Sequence, residues 1–370
     1  MTLLDAGIPK LGFGLMRLPR IEGEEIDIPQ VCDMVDAFLD AGFTYFDTAW
    51  GYPGSEAAAK AALVDRHPRE SYIFATKLPA WRTDTIEKAH AMFETSLERT
   101  GAGYFDFYLL HNLGGPRTKA FDDWDMWGYV AQKKAEGLVR HIGFSLHDNA
   151  AVLDKLLSAH PEIDFVQLQV NWGDWEDPMV QSRWCCEVAE AHGVPIVVME
   201  PAKGGTLSTL PPAVEEILRA VDPSLSPTAW ALRFAASVPG VLTVLSGASS
   251  IEQMEANIAT MKDFERLSDA QWETVLRAGE ALRAIPHVSC TSCGYCMPHC
   301  PKKIPIKNVL GDLNIGLMYG DYAHAKVNYG LDVMLTAKAS DCIACGACER
   351  ACPQQLDIIE QLKRAAELLE

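Results

Sequence analysis

Several things are missing or scarce in this 370-residue sequence. No run of eighteen apolar residues occurs, so no helical membrane span is expected. The opening stretch Met1-Thr2-Leu3-Leu4-Asp5-Ala6 has no basic segment followed by an apolar core, so no secretory leader is expected either. Positive charge is also short: 32 Lys and Arg stand against 50 Asp and Glu, a net charge of −18. Binding nucleic acid draws on clustered cations that release counterions, and a chain this acidic argues against that partner. The acid excess reads first as solubility and second as an acidic docking face. Gly12 and Gly14 begin a dinucleotide fingerprint of the G-x-G-x-x-G type, but Arg17 stands where its third glycine belongs. No low-complexity tract is present.

Cysteine is abundant, with eleven residues, yet eight of them lie in two short arrays near the carboxyl end. That distribution indicates metal chemistry rather than a disulfide framework. Cys32, Cys185 and Cys186 fall in helical-looking segments and read as buried, inert thiols. A reducing cytoplasm suits all eleven.

The rest of the chain alternates strand and helix. Leu11–Met16 reads as a strand, and further strands end at Phe46, Lys77 and His111, separated by helical patterns near 29–41, 55–65, 84–100 and 123–136. The order continues through Val139–Ser145, a helix near 148–159, Ile163–Gln169, a helix near 178–192 and Val194–Met199. A helix near 227–237, the strand Val241–Leu245 and a helix near 250–263 complete eight units in about 260 residues, the size of a (β/α)8 barrel. An open doubly wound sheet gives the same alternation, but it gathers its ligand groups at one switch point. Here candidate groups recur at strand end after strand end, as a barrel's carboxyl face requires. The expected fold is therefore α/β, a TIM-type barrel over residues 1–285. A helix over Leu267–Ala284 and a boundary at Ile285-Pro286-His287 lead into a smaller, mainly α-helical domain over 286–370.

Asp47 and Tyr52 follow one strand, Lys77 closes the next and His111 the next. A carbonyl accepts hydride when a donor protonates its oxygen as charge develops, and Tyr52 is the candidate donor. A phenol ionises near pH 10, and a neighbouring ammonium such as Lys77 favours the phenolate. A lysine in a dry cleft tends to lose its proton unless a carboxylate such as Asp47 holds it charged. His111 would orient the carbonyl or give a second hydrogen bond. Each residue alone in a loop is more often structural; four complementary placements together point to a site.

Through Asp47-Thr48-Ala49-Trp50-Gly51-Tyr52, Thr76-Lys77, Leu110-His111-Asn112 and Ile142-Gly143-Phe144-Ser145, the sequence resembles the aldo-keto reductase family over roughly residues 8–265. The resemblance implies a nicotinamide dinucleotide, NADP or NAD, lying across the barrel mouth. It also implies a catalytic tetrad of Asp47, Tyr52, Lys77 and His111, with Tyr52 as general acid, and contacts from Ser145 and Gln167 to the nicotinamide carboxamide. After the seventh strand, many members stack an aromatic ring on the nicotinamide; here that place reads Met199-Glu200-Pro201. The turn Ser246-Gly247-Ala248-Ser249 leads to a helix start whose amides could take a phosphate, or which is simply an N-cap. The resemblance favours the adenosine-phosphate end of the cofactor site, with Gln253 and Asn257 on the helix. Many members carry Arg where this chain has Gln253, and a neutral amide clamps a phosphate less well than a guanidinium. Both NADP and NAD stay open.

Cys290-x2-Cys293-x2-Cys296-x3-Cys300-Pro301 and Cys342-x2-Cys345-x2-Cys348-x3-Cys352-Pro353 repeat the run that holds 4Fe-4S clusters. Zinc is the alternative, but it favours two separated pairs. In two-cluster ferredoxins the fourth cysteine of each run serves the other cluster. Cys290, Cys293, Cys296 and Cys352 are thus assigned to one cluster, and Cys342, Cys345, Cys348 and Cys300 to the second. The long connection, with Tyr319, Tyr322 and Tyr329 in helix-like surroundings, resembles the helical ferredoxin type.

These readings favour an oxidoreductase that moves hydride between NAD(P)H and a small carbonyl or alcohol, its clusters coupling to a redox protein partner. The alternatives are an electron-transfer module on a barrel scaffold, or clusters that are structural or redox-sensing. A flavin normally links hydride to one-electron chemistry, yet no motif assigns a flavin site.

Overall fold

The computed structural model describes residues 7–21, 25–178, 180–334 and 336–370. Met1–Ala6, read above for a leader, and Met179, inside the helix expected near 178–192, lie outside the described residues. Eight parallel strands close a barrel: β1 (Leu11–Gly14), β2 (Tyr45–Asp47), β3 (Ile73–Leu78), β4 (Phe105–Leu113), β5 (Val139–Leu146), β6 (Phe165–Gln169), β7 (Ile196–Met199) and β8 (Val241–Gly247). They pair in sequence order, and β1 closes the ring against β8, with Leu11 level with Val244. Every residue of β3 and β4 is buried, as expected for strands covered on both faces. Gly143 lets β5 approach β6, because a Cβ there would sit 2.5 Å from the Phe165 carbonyl oxygen.

Tyr45, Ile73, Ala75, Phe107, Leu109, Phe165, Val197 and Leu245 form one buried cluster. The Phe107 ring meets Tyr45 at 5.1 Å and Phe165 at 4.8 Å, in edge-to-face contact. Side chains alternate in direction along a strand, so the residue two places beyond each of these faces the same way, one layer higher. Those residues are Asp47 after Tyr45, Lys77 after Ala75, His111 after Leu109, Gln167 after Phe165 and Met199 after Val197. A filled interior therefore lifts the polar side chains to the carboxyl mouth.

Helix boundaries differ from expectation in a few places. The helix expected near 55–65 is α-helical over Ser55–Ala59 and continues as a π-helical turn over Lys60–Val64. The one expected near 123–136 is two, Thr118–Asp123 and Met126–Ala135. Pro212–Arg219 is an unforeseen helix, begun by a proline at its first position.

By internal contacts the chain divides into two compact units. One holds the residues up to Pro201 together with Ala229–Asp269; the other holds Ala202–Thr228 and Ala270–Glu370. In the second unit, the helices Ile306–Tyr319, Tyr322–Asp332 and Ile358–Leu369 surround a core of Ile306, Val309, Leu310, Leu313, Ala325, Tyr329, Ile358, Leu362, Ala365 and Leu369. Cys296, Cys348 and Cys352 are part of that core. Tyr329 is a packing residue there, its hydroxyl 2.7 Å from Glu370 Oε1 and 2.9 Å from the Ala339 amide. Among the described residues, no helix is long and apolar enough to cross a membrane.

Candidate active site and cysteine cavity

At the barrel mouth, the buried Lys77 ammonium donates to Asp47 Oδ1, to the Thr48 carbonyl at 2.8 Å and to Tyr52 Oη at 3.4 Å. Its nitrogen lies 4.9 Å from the centre of the Tyr52 ring. The His111 ring meets that of Tyr52 edge-on, centroids 5.7 Å apart. All four residues named from the sequence therefore come together.

Burial pulls the Lys77 pKa down, while Asp47 and then Glu56 pull it back up. Burial likewise raises the Asp47 pKa, and Lys77 opposes it. His111 is held well below its ordinary value, first by burial and then by Lys77. A neutral imidazole beside a charged lysine can give a hydrogen bond without titrating near neutral pH.

Gln167 stands where its amide serves the tetrad: Nε2 donates to the second Asp47 oxygen at 3.1 Å. Ser145 Oγ accepts the Asn112 backbone amide at 2.7 Å. Met199 ends β7, half-buried.

The turn after β8 is more self-contained than its sequence suggested. Gln253 Oε1 takes the Ser249 amide at 2.8 Å, and Ser250 Oγ takes the Gln253 amide at 3.3 Å. Gln30 Oε1 takes the Ile251 amide at 3.1 Å. Asn257 Nδ2 donates to Ser246 Oγ at 3.0 Å. Gly247 is exposed and Ala248 buried between these residues. Three amides of this turn, those of Ser249, Ile251 and Gln253, thus already hold side-chain oxygens of the chain itself.

Three residues near the tetrad escaped sequence reasoning. Glu56 is a buried carboxylate that accepts from Thr76 Oγ1 at 2.9 Å and pairs with Arg99 at 3.4 Å. An acid in a helix's first turn is commonplace, so the sequence carries no other mark of it. Trp81 Nε1 donates to the His111 carbonyl at 2.9 Å. Asn112, at φ 64°, is fully buried, and among the described residues neither polar atom of its amide has a partner.

In the second unit, Cys300, Cys342, Cys345 and Cys348 line one cavity together with Ile304, Ile306, Ile359 and Leu362. Cys300 comes from the first run and the other three from the second. The complementary set is also gathered: burial pushes the Cys296 thiol up to about 12, and Cys293, Cys290 and Cys352 beside it add to the rise. Among the described residues, no group of three or more His, Cys, Asp or Glu side chains is arranged closely enough to hold a single metal ion. Four thiols around an apolar-backed cavity fit an iron-sulfur cubane.

A closed eight-stranded barrel with a Lys-Asp-Tyr-His group at its carboxyl mouth defines a barrel oxidoreductase. The chain belongs to the Aldo/keto reductase family, whose sequence model matches residues 10–280. Residues 289–357 match the 4Fe-4S dicluster domain. An aldo-keto reductase of Mycolicibacterium vanbaalenii is 28% identical over 270 residues, 72% of this chain and 86% of the relative. The 9,11-endoperoxide prostaglandin H2 reductase of Trypanosoma cruzi is 28% identical over 201 residues, 54% of this chain and 63% of that protein. Among solved structures, the holo form of an aldo-keto reductase from Bacillus halodurans superposes with a TM-score of 0.57 at 24% identity, over 73% of this chain and 91% of the other. A Klebsiella pneumoniae enzyme in complex with NADP and acetate gives 0.57 at 23% identity, with the same coverage. Both likenesses concern the fold.

Proposed function

We propose that residues 1–285 reduce a small carbonyl compound with NADH or NADPH, or oxidise the alcohol in reverse. We further propose that residues 286–370 hold two 4Fe-4S clusters that exchange electrons with a redox protein. The observation that carries the first part is the Lys77 ammonium, bonded at once to Asp47, the Thr48 carbonyl and Tyr52 Oη.

The bound nicotinamide supplies a hydride to the carbonyl carbon. Tyr52 gives the phenolic proton to the carbonyl oxygen as negative charge gathers there, and Lys77, 3.4 Å from that hydroxyl, stabilises the phenolate left behind. Asp47, braced by Gln167, keeps Lys77 charged and aimed. Neutral His111 steadies the carbonyl oxygen by hydrogen bonding. Among the described residues neither polar atom of the buried Asn112 amide finds a partner, and that unused donor and acceptor support a carboxamide-bearing ligand beside it.

Cys290, Cys293, Cys296 and Cys352 would hold one cluster, and Cys342, Cys345, Cys348 and Cys300 the other. The cavity lining supports the second set. A hydride carries two electrons and each cluster one, which is the step a flavin ordinarily joins; no residues here assign one. Eleven thiols suit a reducing cytoplasm.

The test is anaerobic turnover of a carbonyl panel with each nucleotide, comparing the native protein with Tyr52→Phe. Loss of general acid catalysis is expected to slow reduction about a hundred- to ten-thousand-fold while nucleotide affinity holds. Near-native turnover of Tyr52→Phe on a well-reduced substrate would remove the residue from the mechanism.

A further inference from the structure

The second unit departs from the rest of the chain in charge. Residues 286–370 carry eight Lys and Arg against nine Asp and Glu, so nearly all of the net −18 lies before them. Three of the cations in that unit stand at or beside the cavity lined by Cys300, Cys342, Cys345 and Cys348. Lys302 lines the cavity and Lys303 follows it, both exposed. Arg350, also exposed, reaches across to the Cys345 carbonyl at 3.4 Å. Two nearby acids are engaged by backbone amides: Glu349 Oε1 accepts the Ile359 amide at 2.9 Å, and Asp341 Oδ2, although exposed, the Lys338 amide at 2.9 Å.

The same rim is where the cavity reaches solvent. Cys348 is buried, whereas Cys345 is exposed, and the neighbouring Ile343 side chain is 57% exposed. An exposed isoleucine flanked by cations, beside an exposed thiolate ligand, combines a small apolar centre with a charged border. Short-lived electron-transfer encounters use that form: electrostatics brings the partners together, and a small dry patch sets the distance.

We propose that Ile343, Cys345, Lys302, Lys303 and Arg350 form the docking face for a small acidic one-electron carrier protein. This rests on the reading that residues 286–370 hold clusters. One electron passes between the carrier's redox group and the cluster behind Cys345; one is oxidised as the other is reduced, and no bond or proton changes. The opposite cysteine set presents two buried thiols, Cys296 and Cys352, and two half-buried ones, so it offers the poorer exit.

The experiment uses the full-length, iron-loaded protein under anaerobic conditions, an acidic flavodoxin as probe and a basic cytochrome c as the opposite-charge control. Binding is followed by calorimetry at low and at physiological ionic strength. Flavodoxin is expected to bind, to weaken with salt, and to lose about tenfold or more in affinity for the double variant Lys302→Glu, Lys303→Glu and for Ile343→Glu. Leu331→Ser, which alters an equally exposed apolar side chain on the helix Tyr322–Asp332, is expected to change nothing. Iron and sulfide counts with spectroscopy verify the clusters in every sample. If Ile343→Glu disturbs its neighbouring ligands, the lysine pair alone decides. Cluster-loaded native protein that ignores flavodoxin, prefers cytochrome c, or binds flavodoxin equally well after the lysine exchange overturns the docking face and leaves the cluster reading intact. Native protein that takes up no clusters overturns both.

Discussion

Gln253 stands where the family resemblance implies a phosphate-holding guanidinium in many members, and its own amide oxygen takes the Ser249 N–H at 2.8 Å. With the Ile251 amide held by Gln30 and the Gln253 amide by Ser250, the helix start has few donors left for a 2′-phosphate. NAD and NADP are therefore expected to bind within about tenfold of each other, and Gln253→Arg to favour NADP by about tenfold or more, read by fluorescence titration of both nucleotides. A native preference for NADP above roughly a hundredfold, about 2.7 kcal/mol, would show that another cation reaches that phosphate. The tetrad was legible in the sequence because strand alternation and chain order suffice to bring Asp47, Lys77 and His111 to one rim. The bracing of Asp47 by Gln167 and the occupation of the Ser249 amide by Gln253 were not legible. Both depend on rotamers chosen in the folded state, across 120 residues in the first case.

The helices Ile306–Tyr319 and Tyr322–Asp332 set two acids against each other. Asp312 is buried, and its carboxyl is raised to about 7, first by burial and then by Asp332. Asn308 Nδ2 holds Asp332 at 3.0 Å, so Asp312 is the member that keeps the proton. A folded value above the ordinary one near 3.9 means the folded state binds the extra proton. Its stabilising effect is full at pH 4 and below and is lost as pH rises toward and through 7. Asp312→Asn, a neutral amide of the same shape, is expected to leave stability nearly unchanged at pH 5. At pH 8 it should add about 1–3 kcal/mol, seen as a higher melting temperature of the iron-loaded protein by circular dichroism. Equal shifts at both pH values would remove the shared proton from the account. Element boundaries were legible where a helix is long and amphipathic. Pro212–Arg219 was missed because Pro211-Pro212 reads as a break, although proline is well suited to a helix's first turn. The π-helical turn at Lys60–Val64 has no sequence mark at all.

At the scale of the chain, the cysteine runs announced a second domain over 286–370, whereas by internal contacts the second unit also takes in Ala202–Thr228 and begins again at Ala270. The segment after β7 belongs to the second unit through contacts that no local pattern encodes. A Cβ on Gly204 would sit 2.3 Å from the Thr291 carbonyl oxygen, and Tyr319 Oη donates to the Thr209 carbonyl at 2.7 Å. The link between the two runs is a different matter, because their likeness to two-cluster ferredoxins already implied it. Cys300 lines the same cavity as Cys342, Cys345 and Cys348, and on the crossed assignment proposed above each run would depend on the other for its fourth thiol. Cys300→Ala is accordingly expected to damage the cluster of the second run, 42 positions away at its nearest cysteine, more than its own; iron counting and spectroscopy report which signal is lost. Selective loss of the Cys290, Cys293 and Cys296 signal would contradict the crossing. Removing iron altogether should then loosen the loops near 289–305 and 337–357, which lack a helical core of their own. The apolar contacts among Leu313, Tyr329, Leu362 and Leu369 hold the three helices. Limited proteolysis of iron-free protein is expected to cut first in those two loops while the barrel keeps its nucleotide affinity. Unchanged resistance there would mean that the apolar core, rather than the metal, orders the cysteine loops.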